Sequence, residues 1–190
     1  MKVDMFWDST ANIGTATVMS ASFINGAATI LPEGYDLGNR SMSMPFQAGN
    51  FSPQGKPDGA ILLGSIDLFS YGANVGLEDG FALQHGTITA TTTGIGFDDP
   101  TSGPVTASCG GTLHIWSATT TDTYVIKIQH STAISSGYAD LITFSGTGTT
   151  LLAERQTVAS GTVNRYRRIL ATRTGSAGDT LGFTVVFYHN

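Results

Sequence analysis

The sequence is poor in charged residues. They make up 12% of its 190 residues, whereas an ordinary soluble domain carries about 25%. Hydrophobic residues make up 41%, which is enough for a core, so the surface must consist largely of threonine, serine, glycine and asparagine. A surface with few charges repels copies of itself only weakly. This composition favours a protein that works packed against its own copies.

Cysteine and long apolar runs are also scarce. The single cysteine, Cys109, excludes an intrachain disulfide, and we expect it to be a small buried side chain. The first residues, "MKVDMFWDST", contain acidic residues where a signal peptide needs an apolar stretch. No run approaches the ~18 apolar residues of a membrane span. We therefore expect a protein made in the cytoplasm, with no signal peptide and no membrane partner.

Motifs for catalysis and metal binding are missing. The four histidines lie far apart in the sequence and none has a partner at metal-ligand spacing: His85, His114, His130 and His189. The sequence contains no GxSxG, SxxK or HExxH motif. Asp98-Asp99 and Glu78-Asp79-Gly80 are typical of turns. We therefore expect no catalytic residue, no cofactor, no metal and no enzyme activity. A glycan-active enzyme is the disfavoured alternative. It stays open because the two carboxylates of such an enzyme can come from distant strands.

Hydrophobic alternation predicts β-strands almost throughout. In "TYVIKIQH", Tyr124, Ile126 and Ile128 fall on one face, as in a half-buried strand. Similar patterns, separated by glycine-rich turns, predict strands at 112–117, 123–130, 140–145, 162–170 and 181–188. Strands at this spacing predict an all-β fold with a C-terminal β-sandwich or jelly roll. We expect its buried residues to include Ile126, Ile128, Leu141 and Phe183.

The first 75 residues are less regular. Residues 30–59 hold four of the six prolines, whereas residues 59–72 are apolar enough for a strand or a strand pair. We therefore expect an irregular, partly β N-terminal region or arm over 1–75 and a β-sandwich over 76–190, with its strands mainly in 105–190. Because a long unstructured run inside a compact domain is unusual, residues 31–57 are predicted to contact a neighbouring subunit.

Positive charge is concentrated in one short region. Residues 1–126 hold eleven acidic and three basic residues, a balance of −8, whereas residues 127–190 hold three acidic and six basic residues, a balance of +3. Opposite signs at two ends of a chain favour head-to-tail association of copies. A balance of +3 is too weak to predict duplex DNA binding. We therefore expect no specific nucleic acid among the partners.

Five arginines form the candidate interface site: Arg155, Arg165, Arg167, Arg168 and Arg173. If 162–170 is one strand, Arg165 and Arg167 share a face with Val163 and Ile169. The nearby acids that could pair with them are Glu154 and Asp140. Arginine is enriched at subunit contacts, where carboxylates of a neighbouring copy would be available. The alternative is that these arginines face solvent with their apolar stems on the sheet.

The C-terminal stretch resembles a β-rich module of tailed-bacteriophage structural proteins, a family that includes tail-tube subunits. The resemblance runs from about Gly76 to the end, and its residues match in order and spacing: Gln129-His130-Ser131, Asp140-Leu141, Phe144, Glu154-Arg155, Gly161-Thr162-Val163, Arg165-Tyr166 and Arg168. Two departures stand out. Arg167 occupies a position where the module usually has an aliphatic residue, and the first 75 residues are shorter than a full tail-tube body and lack its helix.

The resemblance implies a virion structural protein with no enzyme activity. Its expected partners are copies of itself and the major capsid protein or other shell or tail proteins, and its expected location is the virion, assembled in the host bacterial cytoplasm. Because no helix is evident, a capsid cement or decoration protein is slightly favoured over a tail-tube subunit. The alternative is a carbohydrate- or receptor-binding β-sandwich module of the particle. Trp116 could serve it as a sugar-stacking platform, although a core or interface ring is the favoured interpretation.

Overall fold

A computed structural model describes residues 2–6, 25–54, 63–70, 76–99, 105–119 and 121–189. These residues form thirteen β-strands, and no helix occurs among them. The all-β prediction is therefore confirmed. The strands are β1 (Lys2–Phe6), β2 (Asn25–Ile30), β3 (Arg40–Gln54), β4 (Leu63–Ser70), β5 (Glu78–Ile88), β6 (Thr92–Thr93), β7 (Phe97–Asp98), β8 (Val105–Ser117), β9 (Thr123–Ser131), β10 (Ala139–Thr143), β11 (Leu152–Val163), β12 (Tyr166–Thr174) and β13 (Leu181–His189).

The chain divides into two compact units. The smaller consists of residues 1–26 and 44–76, and the larger of residues 27–43 and 77–190. In the smaller unit β4 pairs antiparallel with β1 on one side and with β3 from Phe46 onward on the other. The strand predicted within residues 59–72 is present as β4, and residues 59–62 lie outside the described residues.

The larger unit contains two antiparallel sheets. One has the order β3, β5, β13, β8, β11, with β3 contributing Arg40–Ser43. The other has the order β10, β9, β12, β6, and β7 also pairs with β12. Both sheets supply side chains to a single hydrophobic cluster. The β-sandwich and the jelly-roll connectivity both stay predictions.

The predicted strand faces are correct for the central strands of the core. Tyr124, Ile126 and Ile128 of β9 are all fully buried. On β8, Leu113 and Ile115 are buried. Strand β13 lies between β5 and β8, and all of its residues from 181 to 188 are buried, including Phe183. Both faces of β13 are therefore buried, although the alternation of its sequence predicts that only one face is buried.

Two sequence predictions in this region are wrong. Leu141 is only partly buried and Ile142 takes the core position, because the pairing of β10 with β9 shifts register between Asp140 and Ile142. A one-residue shift moves every following side chain to the other face.

The single strand predicted over 162–170 is two strands. β11 ends at Val163, which pairs with β8 of the first sheet, and β12 begins at Tyr166, which pairs with β9 of the second sheet. The chain crosses between the sheets at Asn164 and Arg165. Apolar alternation continues through this crossing because Val163 and Ile169 both point into the shared core, so no break is visible in the pattern.

Candidate functional site

All five arginines predicted as interface residues contact partners in their own chain. Arg155 of β11 forms a two-pronged ion pair with Glu78 of β5, in which Nε donates to Oε2 at 2.8 Å. Its guanidinium also lies 5.4 Å from the ring centroid of Tyr188. The hydrogen bond to Glu78 raises the pKa of Arg155, and burial raises the pKa of Tyr188. The pair therefore joins β11 to a strand that is not its neighbour in the sheet.

Arg165 lies in the crossing between the two sheets and is exposed. Its Nη2 donates to Oδ2 of Asp98 at 2.9 Å, and its Nε donates to the other carboxylate oxygen. The hydrogen bond from Arg165 lowers the pKa of Asp98. Since both side chains are more than two-fifths exposed, the pair contributes little to stability.

Arg167 is fully buried, and it is the largest fully buried side chain of the described residues. Its Nη1 donates to Oδ2 of Asp99 at 2.7 Å. The guanidinium carbon lies 4.5 Å from the ring centroid of Phe187 and 5.4 Å from that of Phe81, distances typical of cation–π contacts. Nε2 of His189 lies 3.1 Å from the same oxygen of Asp99. Burial lowers the pKa of Arg167, and Asp99 opposes this shift.

The remaining two arginines bind loops and strand faces. Arg168 donates from Nε to Oε1 of Gln129 at 3.0 Å and lies 3.9 Å from the ring centroid of Tyr138. Arg173 donates from Nε to Oδ2 of Asp122 at 2.8 Å. The carboxylate of Asp122 also accepts the backbone N–H groups of Ala177 and Asp179, which ties down the turn between β12 and β13.

The acids suggested as partners from sequence proximity are not the partners observed. Glu154 accepts hydrogen bonds from Ser145, Gly146 and Gln156 instead. Asp140 accepts from Lys127 and Gln129. The observed carboxylate partners come from the acidic part of the chain, residues 1–126: Glu78, Asp98, Asp99 and Asp122. Four arginines of residues 127–190 are thus paired with carboxylates of residues 1–126 within one subunit.

Two carboxylate motifs have a different role from the one predicted. Glu78 and Asp79 lie in strand β5 instead of a turn, and Asp99 is buried. Each of these three carboxylates is paired with an arginine that is 39 to 77 residues away in the sequence. No local pattern marks such pairs. The nearest signal is Arg167 itself, a charged residue at a position where alternation predicts a buried side chain.

An open cleft with a volume of about 310 Å³ lies beside the buried Arg167–Asp99 pair. It is lined by Arg40, Asp79, Gly80, Phe81, Asp99 and His189. Arg40 forms a two-pronged ion pair with Asp79 at 2.8 and 2.9 Å, and the pair lowers the pKa of Asp79. A ligand that used these charged groups would have to compete with the existing ion pairs.

Trp116 is not a core ring of its own subunit. The residue retains 46% of its surface, although its neighbour Ile115 is buried. Its ring lies 5.7 Å from that of His85. The prediction that Trp116 serves as an interface ring stays a prediction.

The described residues contain no group of three or more histidine, cysteine, aspartate or glutamate side chains placed to hold a metal ion. Within the same residues, no helix is long and apolar enough to cross a membrane.

The fold and the ion-pair network define an all-β protein with a charged pair inside its core. Comparison with known protein families, with curated proteins and with solved structures finds no match for this chain.

Proposed function

We propose that this chain is a structural protein of a tailed-phage virion that assembles in many copies. A capsid cement or decoration protein is slightly favoured over a tail-tube subunit. The proposed partners are further copies and the shell or tail proteins of the particle, with no membrane and no specific nucleic acid, and the proposed location is the virion. No catalytic role is proposed. Two observations support it: the resemblance of residues 76–190 to phage structural modules, and the pairing of basic side chains within the chain.

The structural observation is the pairing of almost every basic side chain that the structure describes. The structure describes seven lysine and arginine side chains, and six of them form an ion pair with a carboxylate of the same chain: Arg40, Lys127, Arg155, Arg165, Arg167 and Arg173. The seventh, Arg168, is held by Gln129 and Tyr138. A surface on which the described basic side chains already have partners can be covered by a neighbouring copy without stranding an unpaired cation in the interface. The same pairing weakens any attraction for phosphate groups.

The edge of the first sheet supplies a second support. β11 is a twelve-residue strand at the end of its sheet, and β8 is its only partner among the described strands. An edge strand presents backbone N–H and C=O groups that can pair with another chain. Repeated pairing of this kind would extend from copy to copy, as a shell or a tube requires.

Sedimentation velocity combined with negative-stain electron microscopy of the purified chain tests the proposal. The expected result is a sedimentation coefficient that rises with protein concentration, accompanied by rings, tubes or regular clusters in the images. A matched sample with Thr157→Pro in β11 should associate less, because proline removes a backbone donor and disfavours strand pairing. A single monomer boundary at every concentration, with no regular particles, would contradict self-assembly.

A further inference from the structure

Three aromatic side chains of the larger unit form a row on the outside of the first sheet, here called the aromatic row: Tyr35, His85 and Trp116. The ring centroids of Tyr35 and His85 lie 4.1 Å apart, and those of His85 and Trp116 lie 5.7 Å apart. Neighbouring rings are tilted by 32° and 30°. Tyr35 retains 58% of its surface and Trp116 retains 46%, so the two ends of the row are open to solvent.

The sheet itself explains why the ring of Trp116 is held in this position. Leu113 and Ile115 of β8 point into the core, so Trp116 points to the opposite face. The neighbouring strand β13 has Gly182 at this point, and a Cβ atom there would lie 2.5 Å from Cζ3 of the Trp116 ring. Only a glycine lets the indole lie directly against the backbone. The ring is therefore supported by the sheet while almost half of the residue remains exposed.

The central ring is fixed by a hydrogen bond. Nδ1 of His85 lies 2.8 Å from Oγ1 of Thr184 on β13. This is the one hydrogen bond of that ring among the described residues, which leaves Nε2 for a ligand. The row thus combines flat apolar faces with a few polar groups at its border.

We propose that the aromatic row binds a neutral saccharide. One face of a pyranose ring presents C–H groups that stack on an aromatic face, and its hydroxyl groups need donors and acceptors at the edge of the rings. Trp116 and Tyr35 provide the stacking surfaces, and Nε2 of His85 and the Tyr35 hydroxyl provide the hydrogen bonds. Binding sites of small ligands have this composition, mostly aromatic with a small number of placed polar groups. This role is separate from assembly in many copies.

The size of the row favours a saccharide over a protein partner. Each aromatic side chain can bury roughly 150–250 Å². A specific protein interface buries roughly 800 Å² on each partner. Three partly exposed rings fall short of that area but match a surface that one or two sugar units can cover. A second copy of the chain is the alternative occupant, and the oligomeric state of the variants distinguishes it.

A microarray of bacterial surface glycans, probed with the fluorescently labelled full chain, tests the proposal. We expect binding to a subset of the glycans, with at least a tenfold loss in both Trp116→Ala and Tyr35→Ala. Phe69→Ala is the matched control, because Phe69 is an aromatic side chain that retains 56% of its surface and lies in the other unit. It should bind like the unaltered chain. Tyr35 is the most exposed of the three rings, so Tyr35→Ala is the variant that is least expected to disturb the fold. The circular dichroism melting curves of all variants should coincide, which shows that a loss of binding does not come from unfolding.

Three outcomes would overturn the saccharide site. The first is an array on which the unaltered chain binds no glycan. The second is binding that the Trp116 and Tyr35 variants retain in full. The third is a loss of self-association in these variants, measured by sedimentation velocity, without loss of glycan binding. A failure of self-assembly in the unaltered chain would contradict the proposed function and leave the saccharide site standing, so the two proposals fail separately.

Discussion

Arg167 is the residue that most clearly departs from what a β-core normally contains. Its guanidinium is removed from water, and this is tolerated because Asp99 supplies a carboxylate at 2.7 Å and two phenylalanine rings supply their faces. A buried ion pair of this kind contributes little more to stability than an apolar pair of equal volume. Removing only one of its partners, however, lowers stability strongly. An aliphatic side chain would be the apolar solution to the same position.

The neighbouring aspartates Asp98 and Asp99 allow a matched test of this pair. Asp99→Ala removes the carboxylate that is ion-paired with the buried Arg167, so we expect a loss of about 3–5 kcal/mol in the free energy of unfolding. Asp98→Ala removes only the exposed partner of Arg165 and should change stability little. Urea unfolding measures both variants. Combining Asp99→Ala with Arg167→Met should recover much of the lost stability, because the buried charge is then absent from the core. Equal losses of stability in Asp99→Ala and Asp98→Ala would show that Arg167 is not buried as described.

His114 makes stability depend on pH. Burial lowers its pKa to about 4, whereas an unfolded histidine has a pKa near 6.5. The unfolded state therefore binds more protons between these values, and stability falls as the pH decreases from 6.5 towards 4, by roughly 3 kcal/mol in total for this residue. Burial also lowers the pKa of His130, which adds to the same slope.

The measurement is a series of urea unfolding curves between pH 7 and pH 5, above the range in which carboxylates are protonated. His114→Gln should flatten the dependence without abolishing it, because His130 remains. The glutamine amide can keep a hydrogen bond to Thr29, whose hydroxyl lies 2.8 Å from Nε2 of His114. An unchanged slope in the variant would contradict the burial of this imidazole.

At the scale of the strands, β9 carries the clearest core face. Ile128 is fully buried, and a Cβ atom at Gly111 of β8 would lie 2.5 Å from its Cδ1 atom. The side chain thus fills space left by a glycine of the opposite sheet. Ile128→Ala should cost about 2–5 kcal/mol in the free energy of unfolding, since the cavity cannot fully collapse. Val125→Ala on the exposed face of the same strand is the control, and it should have a much smaller effect. A loss near zero for Ile128→Ala would mean that the strand faces the other way.

The strands could be predicted from the sequence where one side of a strand is buried. This applies to β9, in which alternation identifies Ile126 and Ile128 as core residues. In β13 alternation identifies Phe183, but it does not show that the other face is also buried. It does not apply to the crossing at Asn164 and Arg165, because residues on both sides of the crossing point into the same core. Register shifts, such as that at Leu141, depend on the partner strand and leave no mark in a single strand's sequence.

The candidate site could be predicted in part. The clustering of the five arginines and the acidic balance of residues 1–126 are visible in the sequence. Their pairing is not, because Arg167 and Asp99 are 68 residues apart and meet only when β7 pairs with β12. The aromatic row has the same origin. Tyr35, His85 and Trp116 come from a loop and two strands, and only the pairing of β13 with both β5 and β8 brings the two strands together.

In the whole molecule the five arginines bond to partners of their own chain, and their role between copies stays a prediction. Arg165 is exposed and Arg168 is partly exposed, so these two can reach a neighbouring copy most easily. Replacing both by alanine should leave the subunit folded and weaken its incorporation into particles. The exposed Arg165–Asp98 pair contributes little to stability, and Gln129, the buried partner of Arg168, keeps its hydrogen bond to Asp140. Circular dichroism and particle reconstitution measure the two effects. The assembly defect should persist after nuclease treatment. If the double variant assembles normally but no longer binds DNA, the interface hypothesis is wrong and the two arginines contact phosphate groups instead.

The copy number of this chain in purified virions shows most clearly whether it assembles in many copies within a phage particle, as proposed. Quantitative mass spectrometry or gel densitometry against the major capsid protein gives that number, and antibody labelling in negative stain separates the shell from the tail. The account predicts hundreds of copies per particle, distributed regularly over the shell if the chain is a cement protein or along the tail if it forms the tube. A handful of copies at one tip of the particle, or none at all, would contradict it.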